Sequence, residues 1–81
     1  MSVTETLASG KNVAELVGIL EKQAANRADA NWHNGLKSST RIALEKINHA
    51  VEAKWIGAEE GLNLKQRVYS IQDELIELAL W

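Results

Sequence analysis

The stretch NWHNGLKSSTR, residues 31–41, gathers the residue types in this chain that are best suited to chemistry. A tryptophan, a histidine and an Asn-Gly pair precede three hydroxyl side chains, which Lys37 and Arg41 flank. Unpaired N–H groups at a helix start, with hydroxyls and cations beside them, can hold a phosphate or a carboxylate. The candidate anion site therefore consists of Lys37, Ser38, Ser39 and Arg41, and it would suit a small anionic ligand such as a nucleotide.

The same stretch is also typical of a turn followed by a helix. Asn34 and Gly35 tolerate the positive φ of a helix C-cap, and Ser38, Ser39 or Thr40 can cap the helix that follows. The phosphate-loop pattern G-x-x-x-x-G-K-[ST] is absent, because Leu36 stands between Gly35 and Lys37 where the pattern has glycine directly before lysine. No strand is predicted before the turn either. From the sequence, both the anion site and the simple turn with its cap remain open.

Metal binding and catalysis find little support in the residue spacing. His33 and His49 fall on different predicted elements, and the spacing of His49 and Glu52 is a lone i, i+3 pair. The chain has no cysteine. A nucleophile, a base and an orienting group need a pocket that a bundle of this size hardly encloses. We therefore expect no metal site, no cofactor, no catalytic residues and no enzymatic activity.

Length and charge narrow the class of protein further. A chain of 81 residues makes one domain with a small core. Its 9 basic and 11 acidic residues are mixed along the sequence and give a net charge of −2, which does not attract nucleic acid or anionic lipid over long range. No stretch has the roughly 18 apolar residues of a membrane span, and the N-terminus lacks a signal-peptide pattern. We expect a soluble, cytoplasmic protein.

The elements that must position these residues are predicted to be helices. Proline is absent and the β-branched residues do not alternate with polar ones, which favours an all-α fold. The capping signals predict three helices: one from Val13 to about Asn31 capped by Asn12 with Glu15, one from Ser38, Ser39 or Thr40 to Gly57, and one from Asn63 with Gln66 almost to Trp81. Residues 1–11 would form an N-terminal arm or short helical turn, and 12–81 a single helical domain. The fold class is a small three-helix up-down bundle or a helical hairpin with an N-terminal arm.

Helical periodicity predicts one core face on each helix. These faces are Val13, Leu16, Val17, Leu20 and Ala24; Ala43, Leu44, Ile47, Ala50, Val51 and Trp55; and Leu64, Val68, Ile71, Leu75 and Leu78. A second apolar stripe follows on two helices, at Ile42, His49, Ala53 and Ile56 and at Tyr69, Ile76 and Leu80. The extra stripes belong either to one larger core with shifted helix boundaries or to an interface.

The interface interpretation gives the leading functional hypothesis. The predicted contact residues are Trp32, Ile42, His49, Ile56, Tyr69, Ile76, Leu80 and Trp81. We expect a non-enzymatic helical protein-protein interaction module, an inhibitor, adaptor or assembly factor of phage or bacterial type, that binds another protein and forms a homo-oligomer. The alternative is an oligomer that binds or sequesters a small anionic ligand. A helix-turn-helix nucleic-acid binder comes third, because the acidic residues of the third helix would face phosphates with the wrong sign.

Overall fold

A computed structural model describes the backbone of residues 10–81 and the side chains of residues 13–81. It contains α1 (Gly10–Ala25), α2 (Leu36–Glu52) and α3 (Ala58–Glu77), and residues 10–81 include no strand. The prediction of an all-α bundle is confirmed, and each helix packs against the other two. The predicted N-terminal arm lies outside the described residues, apart from residues 10 and 11, which belong to α1.

Contacts between the helices fix their relative directions. Gln72 of α3 donates to the hydroxyl of Thr40 at 3.1 Å, and Gly61 of α3 lies against Val51 of α2. The contact points move backward along α3 as they move forward along α2, so these two helices are antiparallel. The ion pairs from α1 and its following turn to α3 advance together, from Glu21–Arg67 to Arg27–Glu74. The first and third helices therefore run in the same direction.

The core faces predicted from periodicity are largely confirmed. The buried apolar residues are Val13, Val17, Leu20, Ala24, Leu36, Ala43, Ile47, Ala50, Leu64, Val68, Ile71 and Leu75. Leu16 and Leu44 pack against this core at its edge. Leu78 and Trp55 were predicted to be inside but are exposed, because α3 ends at Glu77 and α2 ends at Glu52, before either residue.

The predicted boundaries of the first helix are wrong at both ends. It begins at Gly10, so Asn12 lies within the helix and not at its cap, and it ends at Ala25 instead of near Asn31. The side-chain amide of Gln23 donates to the carbonyls of Trp32, at 2.8 Å, and Asn34, at 3.0 Å. A straight helix through Asn31 would carry those carbonyls away from Gln23, so the chain turns back at residues 26–35.

Gly35 sets the start of α2. Its φ of 78° is favourable for glycine, and it occupies the N-cap position, so no side chain caps this end of α2. The positive φ expected at Asn34-Gly35 is found at Gly35 but not at Asn34, and it starts α2 instead of ending α1. The predicted hydroxyl caps are wrong, because the helix begins at Leu36. Thr40 is buried and its Oγ1 donates to the Leu36 carbonyl at 2.7 Å.

The connection from α2 to α3 lies earlier in the chain than the sequence indicated. The second helix ends at Glu52 and not at Gly57, since Lys54 adopts a φ of 62° and Trp55 N–H donates to the Ala50 carbonyl at 2.9 Å, as in a Schellman cap. The third helix begins at Ala58, so Asn63 lies inside it and caps nothing.

Within residues 10–81, none of the helices combines the length and the apolar character needed to cross a membrane.

Candidate functional site

The four residues of the predicted anion site do not converge on one point. Ser39 is half-buried and lies about 160° around α2 from Arg41 at about 100° per residue. Ser38 and Arg41 line the same shallow depression, which also holds the carboxylate residue Glu45. Lys37 Nζ lies 5.2 Å from the centre of the Trp81 ring. The anion site stays a prediction, since the structure does not gather its four side chains.

The turn at residues 26–35 is organised around Trp32. The guanidinium carbon of Arg27 lies 3.9 Å from the centre of the Trp32 ring, and the His33 ring meets that ring edge-on at 5.5 Å. Arg27 also donates from Nε to the Ala24 carbonyl at 2.8 Å and pairs with Glu74 of α3. Trp32, which was predicted to lie at an interface, packs against the core of its own bundle.

An open cleft of about 310 Å³ lies between α1 and α3. Ala24, Ala25 and Ile71 contribute apolar walls, and the two ion pairs Glu21–Arg67 and Arg27–Glu74 border the cleft. Arg67 approaches Glu21 with two nitrogens, and its Nε lies 3.1 Å from Glu21 Oε2.

The chemistry available in this cleft is that of satisfied charge pairs. Hydrogen bonding from Arg67 lowers the pKa of the Glu21 carboxyl below its ordinary value, against a small opposing effect of burial. The only hydroxyl lining the described part of the cleft belongs to Ser70, and it donates to the Gln66 carbonyl at 3.0 Å. Its proton is therefore already engaged, and no histidine lines the cleft to act as a base. The ion pair Glu21–Arg67 at the border of the cleft links α1 to α3, and the described residues that line the cleft include no activated nucleophile.

The predicted interface residues fall on separate surfaces. Ile42 lies nine residues before Val51 and thus about 180° from it around α2. Because Val51 contacts α3, Ile42 points away from α3. His49 is exposed near Ile42 and meets the Trp55 ring edge-on at 5.2 Å. Ile56 differs from them, because it packs against the core.

On α3, the second stripe is exposed as a continuous line. Tyr69, Ile76 and Leu80 keep 48%, 54% and 38% of their surface, and Trp81 keeps 42%. Leu62, seven residues before Tyr69, extends this line and is 56% exposed. Leu62 was missed at the sequence level because Asn63 was interpreted as the start of the helix, although the seven-residue spacing was a usable signal. Leu80 follows the end of α3, after Ala79 with a φ of 59°, so we call Leu62, Tyr69 and Ile76 the α3 stripe.

Other residues that organise the surface were also missed. Arg27, Glu74 and Glu21 carry the charged contacts between α1 and α3, and their partners lie 46 or 47 positions away in the sequence. Local spacing gives no signal for pairs at that distance. In the part of the chain with described side chains, no three His, Asp or Glu residues cluster as metal ligands would.

None of the protein-family models, curated proteins or solved structures compared with this chain matches it, so the functional argument rests on its own residues.

Proposed function

We propose that this chain is a non-enzymatic helical interaction module of the inhibitor, adaptor or assembly-factor type, which binds another protein and acts as an oligomer. The observation that supports this proposal is the position of its exposed apolar residues. The core is filled by side chains from all three helices, yet large apolar residues remain exposed on α2 and α3. Single exposed apolar residues are ordinary, whereas a line of them on one face is typical of contact surfaces.

Two separate faces allow two different contacts. Ile42 and His49 lie on the side of α2 that points away from α3, and the α3 stripe lies on the outside of α3. One face can therefore mediate self-association while the other binds a partner protein. Trp81 adds an exposed aromatic ring at the end of the bundle, and tryptophan is enriched at binding hot spots.

The experiment compares the proteins that bind to the wild-type chain with those that bind to the variants Ile42→Asp, Ile76→Asp and the control Asn48→Asp. Asn48 is exposed on α2, so its replacement adds the same charge without removing an apolar side chain. A buried charge opposite an apolar partner is costly. We expect a protein bound by wild type and by Asn48→Asp to be lost with at least one of the two isoleucine variants. The proposal is wrong if both isoleucine variants keep wild-type binding, oligomeric mass and stability.

A further inference from the structure

The α3 stripe has the spacing of a helix-helix contact. Leu62, Tyr69 and Ile76 recur every seven residues along α3. Side chains at this spacing stay on nearly one line along a helix, drifting by only about 20° per repeat. From Leu62 to Ile76 the line extends about 21 Å at about 1.5 Å per residue. It is thus long enough for a second helix to pack along it.

The other helices of the bundle do not cover this line. Tyr69 lies about 160° around α3 from Arg67, which faces α1, and about 80° from Gly61, which faces α2. The stripe therefore points outward, with Gln72 and Lys65 between it and α2. Both of these polar residues are half-buried at the edge of the helix packing.

We propose that the α3 stripe pairs with the same stripe of a second copy of this chain, antiparallel, about a two-fold axis at Tyr69. This inference rests on the proposed function and names its self-association surface. With the axis at Tyr69, Leu62 of one copy lies opposite Ile76 of the other, and each such pair occurs twice, as a two-fold interface requires. The same apolar surface thus serves both copies.

The charges beside the stripe select the antiparallel direction. In this register Lys65 of one copy lies level with Asp73 of the other. The two Lys65 residues lie eight residues apart along the helix axis, about 12 Å. A parallel pair would place Lys65 level with Lys65 and Asp73 level with Asp73, which is repulsive. The antiparallel register also brings Glu59 of one copy to within about 3 Å of the level of Glu77 of the other, but both are exposed at the rim, where water and salt screen them.

The absence of native cysteine makes this register directly testable by disulfide formation. A disulfide requires Cα atoms within about 7 Å, so Tyr69→Cys should cross-link to its own copy under mild oxidation. Leu62→Cys alone should not, since its two copies lie about 21 Å apart, whereas an equal mixture of Leu62→Cys and Ile76→Cys should form the mixed dimer. Ile42→Cys is the matched control, because Ile42 is as exposed as Tyr69 but lies on a different helix.

We expect on the order of tenfold more covalent dimer from Tyr69→Cys than from Ile42→Cys, because pairing raises the effective thiol concentration. Circular dichroism shows that each variant is folded before oxidation. The inference is overturned if Tyr69→Cys cross-links no more than Ile42→Cys, if Leu62→Cys alone cross-links as well as the mixture, or if light scattering finds wild type monomeric at the same concentrations.

These outcomes are distinguishable from failure of the proposed function. If the cross-links fail while Ile42→Asp still loses a bound protein, the interaction module stands and only the α3 dimer is wrong. If the cross-links form but neither isoleucine variant loses a bound protein, the dimer stands without the partner that the module requires.

Discussion

The two sides of α3 have opposite character. On the side facing α1, Arg67 and Glu74 pair with Glu21 and Arg27, and charge meets charge. On the outward side, Leu62, Tyr69 and Ile76 expose about half of their surfaces and contact no helix among the described residues. Outside its buried core face, α3 therefore carries charged groups beside α1 and apolar groups where it meets solvent. Stability of the single chain explains the first arrangement but not the second.

The largest effect should come from substitutions at two adjacent residues of α3, one in the core and the other in the α3 stripe. Leu75 is 1% exposed and Ile76 is 54% exposed. Leu75→Ala should lower the free energy of unfolding by about 2–5 kcal/mol at any protein concentration, because it leaves a cavity. Ile76→Ala should act through association, so its effect should grow with concentration. Urea unfolding at two concentrations measures both, and equal losses for the two variants would contradict the distinction between the two sides.

A second pair of variants tests how closely α3 approaches α2. A Cβ added at Gly61 would overlap the Cγ2 of Val51, whereas one added at Gly18 in α1 meets no atom of the described residues within 4 Å. Gly61→Ala should destabilise the bundle by about 1–3 kcal/mol through overpacking. Gly18→Ala should stabilise it by about 0.5–1 kcal/mol, since alanine favours helix. Thermal unfolding should show opposite signs for the same substitution, and a stabilising Gly61→Ala would disprove the close approach.

The region around Gly61 shows which features of the fold the sequence predicts and which it does not. Periodicity located the buried faces, because burial recurs at helical spacing and each core residue carries that signal itself. The segment GAEEGLN was placed between two helices because Gly57 was interpreted as the end of one and Asn63 with Gln66 as the cap of the next. In the structure Gly61 lies inside α3, where the missing side chain lets α3 approach Val51. Glu59 and Glu60 in the first turn were the local signal for the earlier start, since they complement the helix dipole.

The exposed apolar stripes likewise have one property that the sequence predicts and another that it does not. Tyr69 and Ile76 were predicted to share a stripe because they lie on one helix, and both are exposed on α3, whereas Leu80 is exposed beyond the end of the helix. The relation between the stripes on α2 and α3 was not predictable, because it depends on which side of α2 meets α3. That side is set by contacts between distant residues, such as Gln72 with Thr40, which no local pattern encodes.

The smallest effect concerns the charged side of α3 and its dependence on pH. Arg67 lowers the pKa of Glu21 in the folded protein, so near pH 4 the unfolded chain binds more protons at this residue than the folded chain. The resulting stabilisation is complete above the ordinary pKa of glutamate and disappears as the pH falls through the lowered folded value. Because both side chains are more than a third exposed, solvent screening limits the pair to about 0.2–1 kcal/mol.

Urea unfolding of wild type and Glu21→Gln at pH 7 and pH 3 measures this contribution. The variant should be slightly less stable at pH 7, the difference from wild type should shrink as the pH is lowered toward 3, and added salt should reduce the difference at pH 7. Glu45→Gln is the control, because Glu45 is exposed on α2 and forms no ion pair with a described residue. A difference that does not shrink as the pH falls would contradict the assignment of this contribution to the ionised Glu21 carboxylate.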